Sequence, residues 1–163
     1  MRPVCRHVSS AADLTDPEAR RALFREVAAE SSQALVVSEG LLVYLKPDQV
    51  AELARDLHAE SAFRWWVLDL ASPRLMKVLE KTWGDTLKAG NAPFLFAPAE
   101  GTVFFRAHGW EEAEFRSTWE ESLRLRRTMP FAPIWSFLGR FYSKRKQEEI
   151  RRMSGIVLLR RVD

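Results

Sequence analysis

Two uninterrupted apolar runs organise the first half of the chain. Ala34-Leu35-Val36-Val37 leads into Ser38-Glu39-Gly40, and Trp65-Trp66-Val67-Leu68 leads into Asp69-Leu70. Neither alternates with polar residues, so each predicts a strand covered on both faces, as in a parallel sheet. Between them Pro47 and Asp48 open a helix that carries Val50, Leu53, Ala54 and Leu57 on one face. Strand, helix and strand in this order predict an α/β sheet with right-handed crossovers. Ahead of the first run, Pro3–Val8 alternates and predicts a short strand. Thr15 or Asp16 then caps a helix, with Pro17 in its first turn and Glu18 completing a capping box. That helix runs to about Glu30, and four-residue spacing predicts that it buries Ala19, Leu23 and Val27.

The second half is less regular. Pro73–Gly90 reads as helix, Asn91–Pro98 as a loop rich in proline and phenylalanine, and Thr102–His108 as a short helix broken by Gly109-Trp110. Glu112–Arg116 and Gly155–Arg160 read as strands. Residues 117–152 read as two or three basic helices interrupted at Pro130, Pro133 and Ser143. The two late strands would form a hairpin-like pair with a helical insertion, about 117–153, between them. No repeat or linker divides the 163 residues, which predicts one domain over 1–163.

Composition narrows the picture without changing it. Hydrophobic residues make up 47% and charged residues 29%, an ordinary globular balance. The net charge of +3 is unevenly spread, since 12 of the 25 Lys and Arg residues fall after residue 115. A basic tail can meet a nucleic acid or an acidic surface, but it is more often a solvated helix face, and a nucleic-acid partner would rest on charge alone. No stretch approaches the ~20 apolar residues of a membrane helix, and the N-terminus lacks the apolar core of a secretory signal. The single cysteine, Cys5, rules out an internal disulfide and suits a reducing, cytoplasmic setting.

Ligands of open α/β sheets sit beyond the carboxyl ends of the strands. Asp13, Glu39 and Asp69 fall in or near that zone, where a carboxylate can accept from a ribose, an adenine amino group or an ammonium. Each alone also reads as a helix cap or a solvated turn, and Asp69 in Asp-Leu-Ala-Ser-Pro reads best as turn chemistry. His7, His58 and His108 have no metal-ligand spacing. There is no Gly-x-Ser-x-Gly elbow and no phosphate loop.

Taken together, Ala12-Asp13-Leu14-Thr15-Asp16, Val37-Ser38-Glu39-Gly40-Leu41-Leu42-Val43-Tyr44-Leu45 before a Pro-led helix, the strand ending in Asp69 and Phe105-Arg106-Ala107-His108-Gly109-Trp110 resemble the leucine carboxyl methyltransferase-like family. This family belongs to the class I S-adenosylmethionine-dependent methyltransferases. The resemblance implies a Rossmann-like fold whose strand order is 3-2-1-4-5-7-6, mostly parallel with an antiparallel late strand. It implies O-methylation of a small-molecule acceptor, carboxyl or hydroxyl, of polyketide type. It assigns Asp13 and Leu14 to the adenine, Glu39 with Gly40 to the amino-acid end of the cofactor, and Tyr44 to the cofactor or substrate mouth, where plain packing is the competing reading. It identifies no catalytic residue, because methyl transfer depends chiefly on in-line positioning.

The family's early Gly-x-Gly loop and its acidic ribose ligand have no counterpart. The glycines stand at 40, 84, 90, 101, 109, 139 and 155, never two close together. The chain is therefore expected to correspond to strand three onward, an incomplete fold with the 34–39 strand bare along one edge. Binding of S-adenosylmethionine by the lone chain should be weak or absent. Either the Pro3–Val8 segment, a second copy or a missing N-terminal half would cover that edge. The rival to a truncated methyltransferase is a catalytically inactive remnant that serves as a binding module.

Overall fold

A computed structural model describes residues 5–89, 93–127 and 142–163. In chain order the elements are α1 (Pro17–Glu30), β1 (Ala34–Ser38), a 3-10 turn (Leu42–Tyr44), α2 (Pro47–Ala59), β2 (Phe63–Ala71), α3 (Pro73–Ala89), a second 3-10 segment (Gly101–His108), β3 (Trp110–Ser117), α4 (Thr118–Arg124), α5 (Lys144–Arg151) and β4 (Ser154–Arg161). The expected ends or breaks at Gly90, Asn91, Pro130 and Pro133 lie outside the described residues, as does Pro3.

The four strands form one sheet in the order β1-β2-β4-β3. β1 and β2 are parallel, with Val37 beside Val67 and Ser38 beside Leu68. β4 runs antiparallel to both neighbours, so three strands point one way and one is reversed. This α/β topology reproduces the last four strands, 4-5-7-6, of the class I order. The expected strand pairing, the Pro47 helix and the late hairpin with helices between its strands are all present. The expectation of strand three onward is corrected. Cys5–Ser10 is not a strand, and Val8 is exposed. The segment is polar at Arg6, His7, Ser9 and Ser10, and Arg6 pairs with Glu30 at the far end of α1, 3.0 Å away. Among the described residues no strand pairs with the outer edge of β1, so the sheet begins with the strand expected as the fourth.

One face of the sheet carries the core. Trp66 and Leu68 of β2 and Val157 and Leu159 of β4 meet the α2 residues Val50, Leu53, Ala54 and Leu57, all fully or almost fully buried. Two tryptophans on this face keep their N–H groups satisfied, Trp66 donating to Ser38 Oγ and Trp110 to the Ala54 carbonyl, each at 2.9 Å. The rings of Trp66, Trp110 and Phe105 pack edge to face.

The other face contradicts the expectation of two-sided burial. Leu35 is 56% exposed, Val37 62%, Trp65 42% and Ile156 46%. β1 and β2 thus alternate in burial although their residues do not alternate in polarity. An apolar run reports that both faces tolerate burial; what covers each face is decided elsewhere in the chain.

Helix α1 departs from expectation in a different way. Its N-cap is Asp16, which accepts from the amides of Glu18 and Ala19, while Thr15 bonds Asp13 instead of closing a capping box. The buried stripe is Arg20 and Phe24, and Val27 is exposed. Phe24 packs edge to face on Phe63. Arg20 donates through Nε and Nη2 to Asp56 on α2 at 2.8 and 2.6 Å, and through Nη1 to the Leu14 carbonyl at 2.8 Å. A buried guanidinium needs all of these partners, and they rotate the helix to that face.

Candidate functional site

The carboxyl ends of the parallel strands β1 and β2 converge, and the residues just beyond them form the candidate site. β1 ends at Ser38, and Glu39-Gly40 turns the chain towards the first 3-10 segment. Gly40 has φ +60, a backbone region that other residues enter at a cost. Its amide donates to Asp69 Oδ1 at 2.8 Å. Asp69, one position past the last β1–β2 partner pair, thus ties the two strand ends together. Glu39 is exposed and has no hydrogen bond or ion pair among the described residues. Sequence reasoning assigned Asp69 to turn chemistry. The signal for its contact with Gly40 was the equal position of Glu39 and Asp69 at the ends of two parallel runs.

Tyr44 closes the 3-10 turn, is exposed, and lays its ring 5.8 Å from that of Phe94. The 93–98 strap is held on this turn by the amides of Leu95 and Phe96, both donating to the Val43 carbonyl. Behind it lies a cavity of about 230 Å3 between the end of β2, α3 and the strap, with Leu42, Met76 and Phe96 in its walls and Asp69 at its polar side. A wider cavity of about 400 Å3 shares Leu70 and Ala71 and runs on to Thr102, Phe115 and Arg152.

Asp13 and Leu14 lie on the loop before α1. Asp13 Oδ1 accepts from the Thr15 amide at 2.9 Å and from the Thr15 hydroxyl at 2.7 Å, and these bonds hold its carboxyl below the usual range. The Arg20 guanidinium anchors Leu14 through its carbonyl. No hydrogen bond or ion pair among the described residues joins this loop to Glu39, Gly40 or Asp69. The structure brings Glu39, Gly40, Tyr44 and Asp69 to one sheet end and holds Asp13 and Leu14 on the anchored loop before α1.

The basic second half pairs largely with its own carboxylates. Arg152 engages Glu112 with two hydrogen bonds of 2.9 and 2.8 Å and also reaches Glu148. Arg151 pairs with Glu120 and Glu148, and Arg124 with Glu121. The Arg152 bond holds the Glu112 carboxyl below its ordinary range against an opposing effect of burial. His58 Nε2 contacts the Val162 carbonyl at 2.8 Å. His108 Nδ1 is buried without a partner among the described residues, and burial, with Arg55 nearby, lowers its pKa. Cys5 is a free, exposed thiol. No helix among the described residues is long and apolar enough to cross a membrane.

Among solved structures, the chain is similar to that of magnesium protoporphyrin IX methyltransferase from Synechocystis PCC 6803 with bound SAH. The identity is 15% and the TM-score 0.44, over 83% of this chain and 48% of that one, so the chain spans about half the length of the structure it matches. No family model matches the chain, and no curated protein matches it.

Proposed function

We propose that the chain is the strand-four-onward part of a class I S-adenosylmethionine-dependent O-methyltransferase related to the leucine carboxyl methyltransferase-like family, working in the cytoplasm on a small-molecule acceptor. The observation that carries this reading is the β1-β2-β4-β3 order with a reversed β4, in which the parallel β1–β2 register sets the Glu39-Gly40 turn and Asp69 side by side at the sheet end. The residues present fit one part of the cofactor. Glu39 offers an unengaged carboxylate to the ammonium of the amino-acid end, and Asp13 keeps one carboxylate oxygen for the adenine amino group beside Leu14. The Gly40 amide is already taken by Asp69 and has no second proton to give. The chain has no close pair of glycines to approach a cofactor and no counterpart of the acidic ribose ligand that follows the family's second strand. When bound, the cofactor supplies an activated methyl group; these residues bind and orient it.

Each missing charge-assisted hydrogen bond removes about 1.5–3 kcal/mol, so affinity falls by orders of magnitude. Titration calorimetry with S-adenosylmethionine should therefore give the lone chain millimolar or weaker binding, reduced further in Glu39→Gln. Micromolar binding would show that an N-terminal half is dispensable. A Glu39→Gln variant that binds as well as the parent would remove Glu39 from the site.

The second reading is a binding module, and the bare outer edge of β1 with the exposed face beside it favours it. In both readings β1 is the place where a second copy or an N-terminal half joins.

A further inference from the structure

Resting on the methyltransferase reading, we infer that the 230 Å3 cavity beside Asp69 is the acceptor pocket, and that it takes a neutral, hydroxyl-bearing ring compound in preference to a carboxylate. Three observations lead there. The first is position: the cavity is lined by Asp69, which holds the Gly40 amide, and by Phe94, whose ring lies against Tyr44. The second is size. About 230 Å3 lies below the ~300 Å3 at which pockets for drug-sized ligands begin, which suits one or two fused rings or the end of a longer molecule.

The third observation is charge, and it sets the chemical class. Leu42, Leu70, Met76 and Phe96 are buried in the walls, and Leu75, Leu79 and Phe94 complete them. Among the described residues lining the cavity, Asp69 is the one ionisable group, with no lysine, arginine or histidine beside it. A carboxylate entering here would give up its water, find no cation and face a like charge. A neutral hydroxyl can instead donate to Asp69 Oδ2, because the Gly40 amide occupies only Oδ1. The same wall chemistry that admits an aromatic ring therefore selects against the carboxyl acceptor that the family name suggests.

The test needs no cofactor, so its failure is separable from failure of the methyltransferase reading, which rests on the titration above. 2-Naphthol and 2-naphthoate are compared at pH 7 on the full chain by saturation-transfer NMR and fluorescence titration. The naphthol should bind at least about tenfold more tightly, since like-charge contact costs several kcal/mol. Asp69→Asn should narrow that gap by strengthening naphthoate binding. Leu79→Trp, which fills the cavity from the half-buried side of α3, should abolish binding of the naphthol while thermal unfolding confirms that the variant is folded. Val37→Thr, on the exposed sheet face, should leave it unchanged. Equal or tighter binding of naphthoate would overturn the proposal, as would naphthol binding that survives Leu79→Trp or disappears in Val37→Thr. Tighter binding of naphthylmethylammonium than of naphthol would also overturn it, by making the pocket a cation site.

Discussion

The two faces of the sheet are built from the same kinds of residue and have opposite fates. Trp66 is fully buried on one face, and its neighbour Trp65 is 42% exposed on the other. Val157 is buried between Ile156, 46% exposed, and Leu158, half-buried. The difference lies in what is packed above each face. On the covered side α2, the Phe105 segment and the indole hydrogen bonds fix every ring. On the open side Leu35, Val37, Trp65 and Ile156 are exposed and Val67 and Leu158 half-buried, and the six adjoin across three strands. Stability should therefore depend on the covered face, and association on the open one.

The largest effect should come from the centre of the covered face. Trp66→Ala removes a fully buried ring and strands the Ser38 hydroxyl, at a cost of about 3–5 kcal/mol. Urea unfolding would read this directly, and a loss below about 1 kcal/mol would mean the two faces are not energetically distinct. Asp56→Ala tests the helical layer over that face. It leaves the Arg20 guanidinium buried without its main partner, and such losses run to about 3–5 kcal/mol. Because the Asp56 side chain keeps some contact with solvent, the lower end is expected. Arg20→Leu together with Asp56→Leu should recover much of the loss, whereas a double variant as unstable as Asp56→Ala would show that the pair does more than satisfy itself.

Gly155→Ala probes the covered face where β4 passes β3. Its new Cβ would lie 2.7 Å from the Arg116 carbonyl oxygen and still closer to the Phe115 ring, so overpacking should cost about 1–3 kcal/mol. An unchanged melting temperature would mean that the strands separate more easily than the register implies.

At its β3 margin the covered face turns polar, and here pH is the probe. The Glu112 carboxyl is held below its ordinary value by Arg152, so the folded form keeps it charged. The resulting stabilisation is complete above the unfolded pKa of about 4.3 and is lost as pH falls through the lower folded value. Glu112→Gln should therefore lower the urea midpoint at pH 6 and flatten its decline towards pH 3. A variant with the full acid slope would assign that slope to other carboxylates.

The open face should give the smallest change in stability and the clearest change in association. Light scattering should show the parent chain self-associating with concentration. Leu35→Thr with Val37→Lys should hold it monomeric while shifting stability by about 0.5 kcal/mol or less. A parent that stays monomeric, with slow amide exchange along Ala34–Ser38, would remove the need for any covering partner.

The contrast between the faces also marks what the sequence could disclose. Pro47 with the Val50, Leu53, Ala54 and Leu57 stripe predicted α2 and its buried face, because helical period and cap are local properties. The parallel β1–β2 pair followed from two strands with a helix of that length between them. The outer face did not, since Leu35 and Val37 look the same whether or not a layer covers them. Arg20 was not legible either. A guanidinium is read as exposed until Asp56, 36 residues later, is known to face it. Of the site, Glu39 and Gly40 stand where the apolar run stops. The hydrogen bond from Gly40 to Asp69 needed the register, which is a tertiary fact.

The reversed β4 has a consequence for how such a chain comes into being. It is the last of the four strands to be made, yet it lies inside the sheet, between β2 and β3. Two of the three strand pairings, β2 with β4 and β3 with β4, wait for residues 154–161. Until those residues leave the ribosome, β3 has no neighbour and β2 has one side unpaired. Synthesis at roughly 5–20 residues per second leaves these edges open for seconds, a window for mispairing. A stop codon at residue 154 would therefore delete the seam of the sheet, whereas loss of residues 1–10 would remove none of the four strands.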